Sequence, residues 1–242
     1  MDTTLQPSAD DRLAPRGSLP RPWDGFDAYL FDVDGTLLNC KDAVHYFAFC
    51  EALKTLSGRN LNLDGVTAHG NTDIGILRDA LIMAAVPEAE WRHRIREACS
   101  SMCAYVEENR HNIQTDALPA AKATLQHLRS RKAVLGVATG NLASIGTIKL
   151  ESCGLMHFFD FQGFSDGLEY RADVYGRALE RARDIAGPDA AICAVGDTPA
   201  DIRAARHHGI SVIAVATGTH PREQLSAEQP DLCLSSLSEL LP

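Results

Sequence analysis

Short apolar runs and amphipathic stretches alternate along most of this chain. AYLFDV (28–33), AVLGVA (133–138), AICAV (191–195), SVIAV (211–215) and a weaker DLCL (231–234) have the length and composition of buried parallel strands. One more strand is expected within 158–165, where aromatic residues blur its limits. Between these runs, Leu118, Ala121, Leu125 and Leu128 share one helical face, as do Val174, Ala178, Ala182 and Ile185. Helix and strand alternate from residue 116 onward, which predicts an α/β fold: a Rossmann-like parallel sheet with right-handed crossovers. In such a sheet the ligand sits beyond the carboxyl ends of the strands.

The interval 41–115 breaks this rhythm. It contains no strand run but three apolar stripes: Tyr46, Phe49, Leu53 and Leu56; Ile74, Leu77, Leu81 and Ala84; Trp91, Ile95, Cys99, Met102 and Val106. Helices at these stripes would form a small helical domain inserted over the carboxyl edge of the sheet. The expected division is a flexible tail over 1–22, an α/β core over 23–40 and 116–242, and a helical cap over 41–115.

Composition narrows the class. Of 242 residues, 45% are hydrophobic and 23% charged, as expected for a globular protein rather than a disordered or fibrous one. A net charge of −9 argues against nucleic-acid binding through bulk electrostatics. No apolar run reaches the ~20 residues of a membrane helix, so no membrane partner is expected. The Pro-interrupted, polar start resembles neither a secretory signal nor a transit peptide, and a cytoplasmic location is expected. Seven cysteines, an odd number lying mostly in apolar stretches, read as buried free thiols. Cys99 and Cys103 stand four apart, but no second Cys or His pair at ligand spacing accompanies them, so helix packing is the expected role.

The sharpest chemical feature is Phe31-Asp32-Val33-Asp34-Gly35-Thr36-Leu37, at the end of the first strand. Residues i and i+2 of a strand point the same way, so Asp32 and Asp34 are expected to face one site. Two carboxylates that close repel unless a cation or protons intervene, and oxygen ligands in a tight turn suit Mg²⁺. Three further segments end later strands or open helices: Thr139-Gly140-Asn141, Arg171-Ala172-Asp173, and Gly196-Asp197-Thr198-Pro199-Ala200-Asp201. Read locally, Asn141 could cap the helix that follows it, and Arg171 could be a surface charge at a loop. Thr198, Pro199 and Asp201 suit a helix start. Lys149, the nearest lysine upstream of Arg171, lies on a helix that reads as solvent-facing.

In this order, the motifs resemble those of the haloacid dehalogenase-like hydrolases, most of which are Mg²⁺-dependent phosphatases; the resemblance spans about residues 26–242 and is nearest to the phosphoglycolate phosphatase-like branch. It implies a nucleophile at Asp32 and an acid–base at Asp34. It further implies a phosphate cradle of Thr139, Gly140, Asn141 and Arg171, and Mg²⁺ held at Asp32, Asp34 (through its carbonyl), Asp197 and Asp201. Arg171 stands where the family has lysine, and Ala172 where it has proline. Arginine keeps the charge and can grip phosphate bidentately. Members that cleave carbon–halogen or carbon–phosphorus bonds lack an acid at the position of Asp34, so the expected substrate is a small phosphate ester. A sugar-phosphate mutase, or a binding protein that kept the fold and lost turnover, are the alternatives. Lys41, His45, His69 and Asn71 are candidates for substrate selection, and Asp73 is a helix cap or a substrate contact. Monomer and homodimer are both open.

Overall fold

In the computed structural model, which describes residues 18–241, the apolar runs become strands. They are β1 (Ala28–Phe31), β4 (Val134–Ala138), β5 (Phe161–Gly163), β6 (Ile192–Gly196), β7 (Ser211–Val215) and β8 (Leu232–Leu234), while β2 (Leu38–Cys40) and β3 (Thr115–Ala117) pair separately. The six form one parallel sheet in the order β5-β4-β1-β6-β7-β8. The chain fills the sheet outward from β1 on one side and then returns to lay β6 against its other side. That reversal puts a crevice at the carboxyl end of β1.

Every residue of β1 is buried, and its alternation splits the core in two. Tyr29 and Phe31 pack with Leu125, Leu128 and Leu150, whereas Ala28 and Leu30 face Tyr175, Leu179 and Ile202. The first group belongs to the side covered by α5 (Ala121–Ser130) and the end of α6 (Ala143–Ser152). The second belongs to the side of α7 (Arg171–Ala186), α8 (Pro199–His207) and α9 (Arg222–Ala227). Ile185, expected on the buried stripe of α7, is 52% exposed, because the covered face follows Val174, Tyr175, Ala178, Leu179 and Ala182 and ends there.

Between β2 and β3 lie α1 (Val44–Ser57), α2 (Asp73–Met83), α3 (Glu88–Trp91) and α4 (Ile95–Glu108). These helices form the cap. β2 and β3 join it to the core as a short antiparallel ribbon, Leu38 opposite Ala117. The cap has a core of its own around Phe49, Leu53, Leu77, Leu81, Trp91 and Met102. Tyr46 is 41% exposed, and Ala48 and Ala52 take the buried positions of α1 instead. Leu142, Ile145 and Ile148 of α6 belong to the same cluster. The helix that follows β4 is therefore clamped between sheet and cap.

Of the expected tail, residues 1–17 lie outside the described residues; Leu19 packs against the core, and the Arg21 guanidinium lies 5.3 Å from the centre of the Phe26 ring. All seven cysteines are free, but only Cys193 is fully buried and the rest are half-buried. Among the described residues no helix is long and apolar enough to cross a membrane.

Trp91 is fully buried in the cap core. Trp91→Ala is expected to lower the free energy of unfolding by about 3–5 kcal/mol, measured by urea titration, through lost burial and the cavity left behind.

Candidate active site

Three neighbouring strands deliver the motif residues to one edge. Phe31 stands opposite Val137 of β4 and Val195 of β6. Asp32, Thr139 and Asp197 are thus the first residues past three adjacent strand ends. The Asp32 N–H continues the ladder to the Val195 carbonyl at 2.9 Å, and the Thr139 N–H donates to Gly163 at 3.0 Å. Asp32 keeps the strand alternation, so its side chain lies on the α7–α8 face with Ala28 and Leu30.

There it meets Arg171, the first residue of α7. The Arg171 guanidinium donates through Nη2 to Asp32 Oδ1 at 2.5 Å and to Asp201 Oδ1 at 2.5 Å, and through Nε to Asp201 Oδ1 at 3.0 Å. Arg171 is buried rather than a surface charge. Asp201 is fully buried and has a double role. Its Oδ2 accepts from the Thr198 backbone at 3.1 Å and hydroxyl at 2.6 Å, closing the capping box that starts α8, while Oδ1 also accepts from the Tyr175 hydroxyl at 3.1 Å.

Asp197 completes the group. One carboxylate oxygen from each of Asp32, Asp197 and Asp201 lies within 4.8 Å of the others. Asp197 Oδ1 accepts from Thr36 Oγ1 at 3.0 Å, and two glycines let the backbone come close. A Cβ at Gly35, whose φ is +83°, would stand 2.4 Å from Asp197 Oδ2, and one at Gly218 would stand 1.7 Å away. Three carboxylates against one guanidinium leave two negative charges uncompensated in a buried site. Burial and the neighbouring Asp32 and Asp201 push the Asp197 carboxyl well above its ordinary value. Burial pushes Asp32 up to about 6, with Arg171 pulling it down and Asp201 adding to the rise. Two excess negative charges on hard oxygen donors match a divalent cation such as Mg²⁺, so the residues fit that ion.

Asp34 does not share this group through its carboxylate. β1 ends at Phe31, and the chain turns through hydrogen bonds from the Leu37 and Leu38 N–H groups to the Val33 carbonyl, so the strand period no longer holds. The Asp34 side chain instead accepts from Asn141 Nδ2 at 2.7 Å and from Lys149 Nζ at 2.9 and 3.0 Å. Burial alone would raise its carboxyl, but the Lys149 ammonium and these hydrogen bonds outweigh it and hold the group below the usual carboxylate range. Lys149 is therefore not solvent-facing, since only 5% of its side chain is exposed. The signal in the sequence was the helical spacing, which puts Lys149 on the face of Leu142 and Ile145, whereas Ala143, Ser144, Thr147 and Glu151 form the more exposed face of α6. Asn141 also donates to Thr139 Oγ1 at 2.7 Å and does not cap α6, whose N-cap is Leu142.

Asp32, Asp34, Thr139, Gly140, Asn141, Lys149 and Arg171 line one cavity of about 200 Å³, closed from the cap by His45, Phe49, His69, Asn71 and Ile76. The cap is seated on the segment 139–141 itself. The Asp73 N–H donates to the Gly140 carbonyl at 2.8 Å, and Asp73 Oδ2 accepts from the Leu142 N–H at 2.8 Å. Thr72, not Asp73, caps α2, accepting from Gly75 at 3.0 Å. A Cβ at Gly140 would strike the Asn71 carbonyl at 2.0 Å. Of the selection candidates, His45, His69 and Asn71 reach the cavity, whereas Lys41 lies outside it, exposed and ion-paired with Asp116. Gly218 and Lys149 were not among the residues expected at the site.

This fold is that of a known class. The family profile for haloacid dehalogenase-like hydrolases matches residues 29–215, and the chain belongs to that family. It is 26% identical over 224 residues to "Probable phosphatase IndB" of Dickeya dadantii, covering 88% of this chain and 90% of that one. It is 27% identical over 214 residues to the pyrophosphatase PpaX of Anoxybacillus flavithermus, covering 88% and 94%. Among solved structures, that of a predicted phosphoglycolate phosphatase from Haemophilus somnus superposes with a TM-score of 0.62 at 23% identity, covering 89% and 96%.

The charge imbalance makes a prediction for the metal-free protein. Between roughly pH 4 and 6 the unfolded carboxylates are ionised while Asp32 and Asp197 still bind protons in the fold, so stability falls as pH rises across that window. Asp197→Asn is expected to flatten that decline and to raise stability at neutral pH by about 1–3 kcal/mol, while abolishing stabilisation by added Mg²⁺. Thermal melts with chelator and with Mg²⁺ check both effects.

Proposed function

We propose that the protein is a Mg²⁺-dependent phosphatase of a small phosphorylated metabolite, acting through an aspartyl-phosphate on Asp32. The observation that carries this reading is the pair of acids on one cavity in different settings. Asp32 is fixed by Arg171 at the strand end, and Asp34 stands apart on Asn141 and Lys149. One carboxylate can attack while the other moves protons. The names of the phosphatase and pyrophosphatase relatives support the same class.

An ester phosphate would lie with its oxygens toward Thr139, Gly140, Asn141 and Arg171. Asp32 attacks phosphorus as the bond to the leaving oxygen breaks, which divides one difficult displacement into two. Asp34 gives a proton to the departing alkoxide and later takes one from the water that hydrolyses the intermediate. Arg171 holds Asp32 in line and compensates charge on the phosphoryl oxygens. Mg²⁺, held by Asp32, Asp197 and Asp201 with the Asp34 carbonyl, would supply charge neutralisation at those oxygens. A cavity of about 200 Å³ under Phe49 and Ile76 suits a leaving group of a few heavy atoms. The burial of Arg171 against Asp32 speaks for an intact catalytic set rather than a decayed one.

Phosphate release from a panel of phosphoglycolate, sugar and nucleoside monophosphates, pyrophosphate and p-nitrophenyl phosphate tests this directly. Release should require Mg²⁺, stop with chelator, and fall by at least ~10³-fold in Asp32→Asn. Release that survives that substitution would overturn the reading, and phosphate moved within a sugar phosphate rather than freed would indicate a mutase.

A further inference from the structure

Lys149 has no part in the steps above, yet it is the most heavily bonded cation at the site. Its ammonium carries three N–H donors and meets four polar atoms on three residues: both oxygens of Asp34 at 2.9 and 3.0 Å, Asn141 Oδ1 at 2.8 Å, and His45 Nδ1 at 3.1 Å. Asn141 closes a triangle, because its Nδ2 donates to Asp34 Oδ2 at 2.7 Å while its Oδ1 accepts from Lys149. The three corners come from the turn after β1, the loop after β4 and the middle of α6. The fourth group, His45, comes from the cap, where its ring stacks on Phe49 with centres 4.7 Å apart.

We propose that Lys149 is a positioning residue for Asp34 in the hydrolytic half of the reaction, with His45 completing its grip when the cap is seated. This rests on the phosphatase reading given above. An ammonium bonded to both oxygens fixes the plane of a carboxylate as well as its place, and Asn141 fixes the same carboxylate from a second direction. When water attacks the aspartyl-phosphate, its oxygen bonds to phosphorus. The bond from phosphorus to the Asp32 oxygen breaks, its electron pair returns to Asp32, and the water proton passes to Asp34. That last transfer needs an acceptor in the right place, and Lys149 sets the place without touching the phosphoryl group itself. With the cap seated, His45 adds a fourth polar neighbour beside the two Asp34 oxygens and Asn141 Oδ1, so the ammonium that aligns Asp34 is held from the cap as well as from the core.

The test separates the two halves of the reaction. p-Nitrophenyl phosphate releases a leaving group that needs no proton, so in Lys149→Met the formation of phosphorylated enzyme should survive. Steady turnover should fall roughly 10–100-fold. Stopped flow should then show a burst of one p-nitrophenol per enzyme before the slow phase, and intact mass should show phosphorylated protein at steady state. Thermal melting checks that the variant is folded, and Lys149→Gln serves the same test should the methionine variant not fold. Unchanged turnover, or a fall with no burst and no phosphorylated protein, would overturn the assignment. A wild-type protein that releases phosphate from no ester would overturn the phosphatase reading itself, and this assignment with it.

Discussion

The buried guanidinium of Arg171 is the contact on which the arrangement of the site depends. It joins the end of β1 to the starts of α7 and α8 through Asp32 and Asp201. Removing Arg171 would leave three carboxylates together in a buried site with no cation beside them, which is the costly way to disturb a buried pair. The pair does not neutralise the site, because Asp197 and the second carboxylate still exceed the one cation. The fold therefore carries an electrostatic strain that a divalent ion on the same oxygens relieves. Such strain is expected where binding rather than stability sets the composition of a site.

The second constraint is α6. Its apolar residues face the sheet on one side and the cap on the other, so the helix that opens after Asn141 also supports the cap. A hydrogen bond from Asp73 to Gly140 and one from Leu142 to Asp73 reinforce that junction, and Glu169 pairs with Arg78 and Arg92 of the cap just before Arg171. Cap position and site geometry are consequently linked. Whatever moves the cap moves groups one or two residues from Thr139 and Asn141.

Much of this was legible in the chain. The β-run lengths and helical stripes gave the six parallel strands, because buried parallel strands are continuously apolar and leave a strong signal. Asp32 was legible at a strand end, whereas Thr139, Asp197 and Asp201 were picked out by the order of motifs that resembles the family, since read singly each also suits a strand end or a helix start. Other features were not. β2 and β3 are three residues each, mostly polar or half-exposed, and pair across the whole cap, so no local period marks them. Asp32 and Asp34 do face one cavity, but a turn after Phe31 gives them different partners, which the strand alternation did not foretell. Lys149 was misplaced because a charged residue in a short helix reads as solvent-facing, although its spacing puts it on the buried face of Leu142 and Ile145. Gly218 is set by its approach to Asp197 from a distant loop, which no neighbour in sequence reveals.

The central claim is that Asp32 becomes covalently phosphorylated, and chemical trapping tests it most directly. The protein is mixed with Mg²⁺ and a turned-over ester, quenched, and treated with borohydride, which reduces an acyl phosphate to an alcohol. Peptide mapping should then find homoserine at position 32, dependent on ester and metal and absent from Asp32→Asn. An unmodified Asp32 under conditions where phosphate is being released, or reduction at a different carboxylate, would contradict the account.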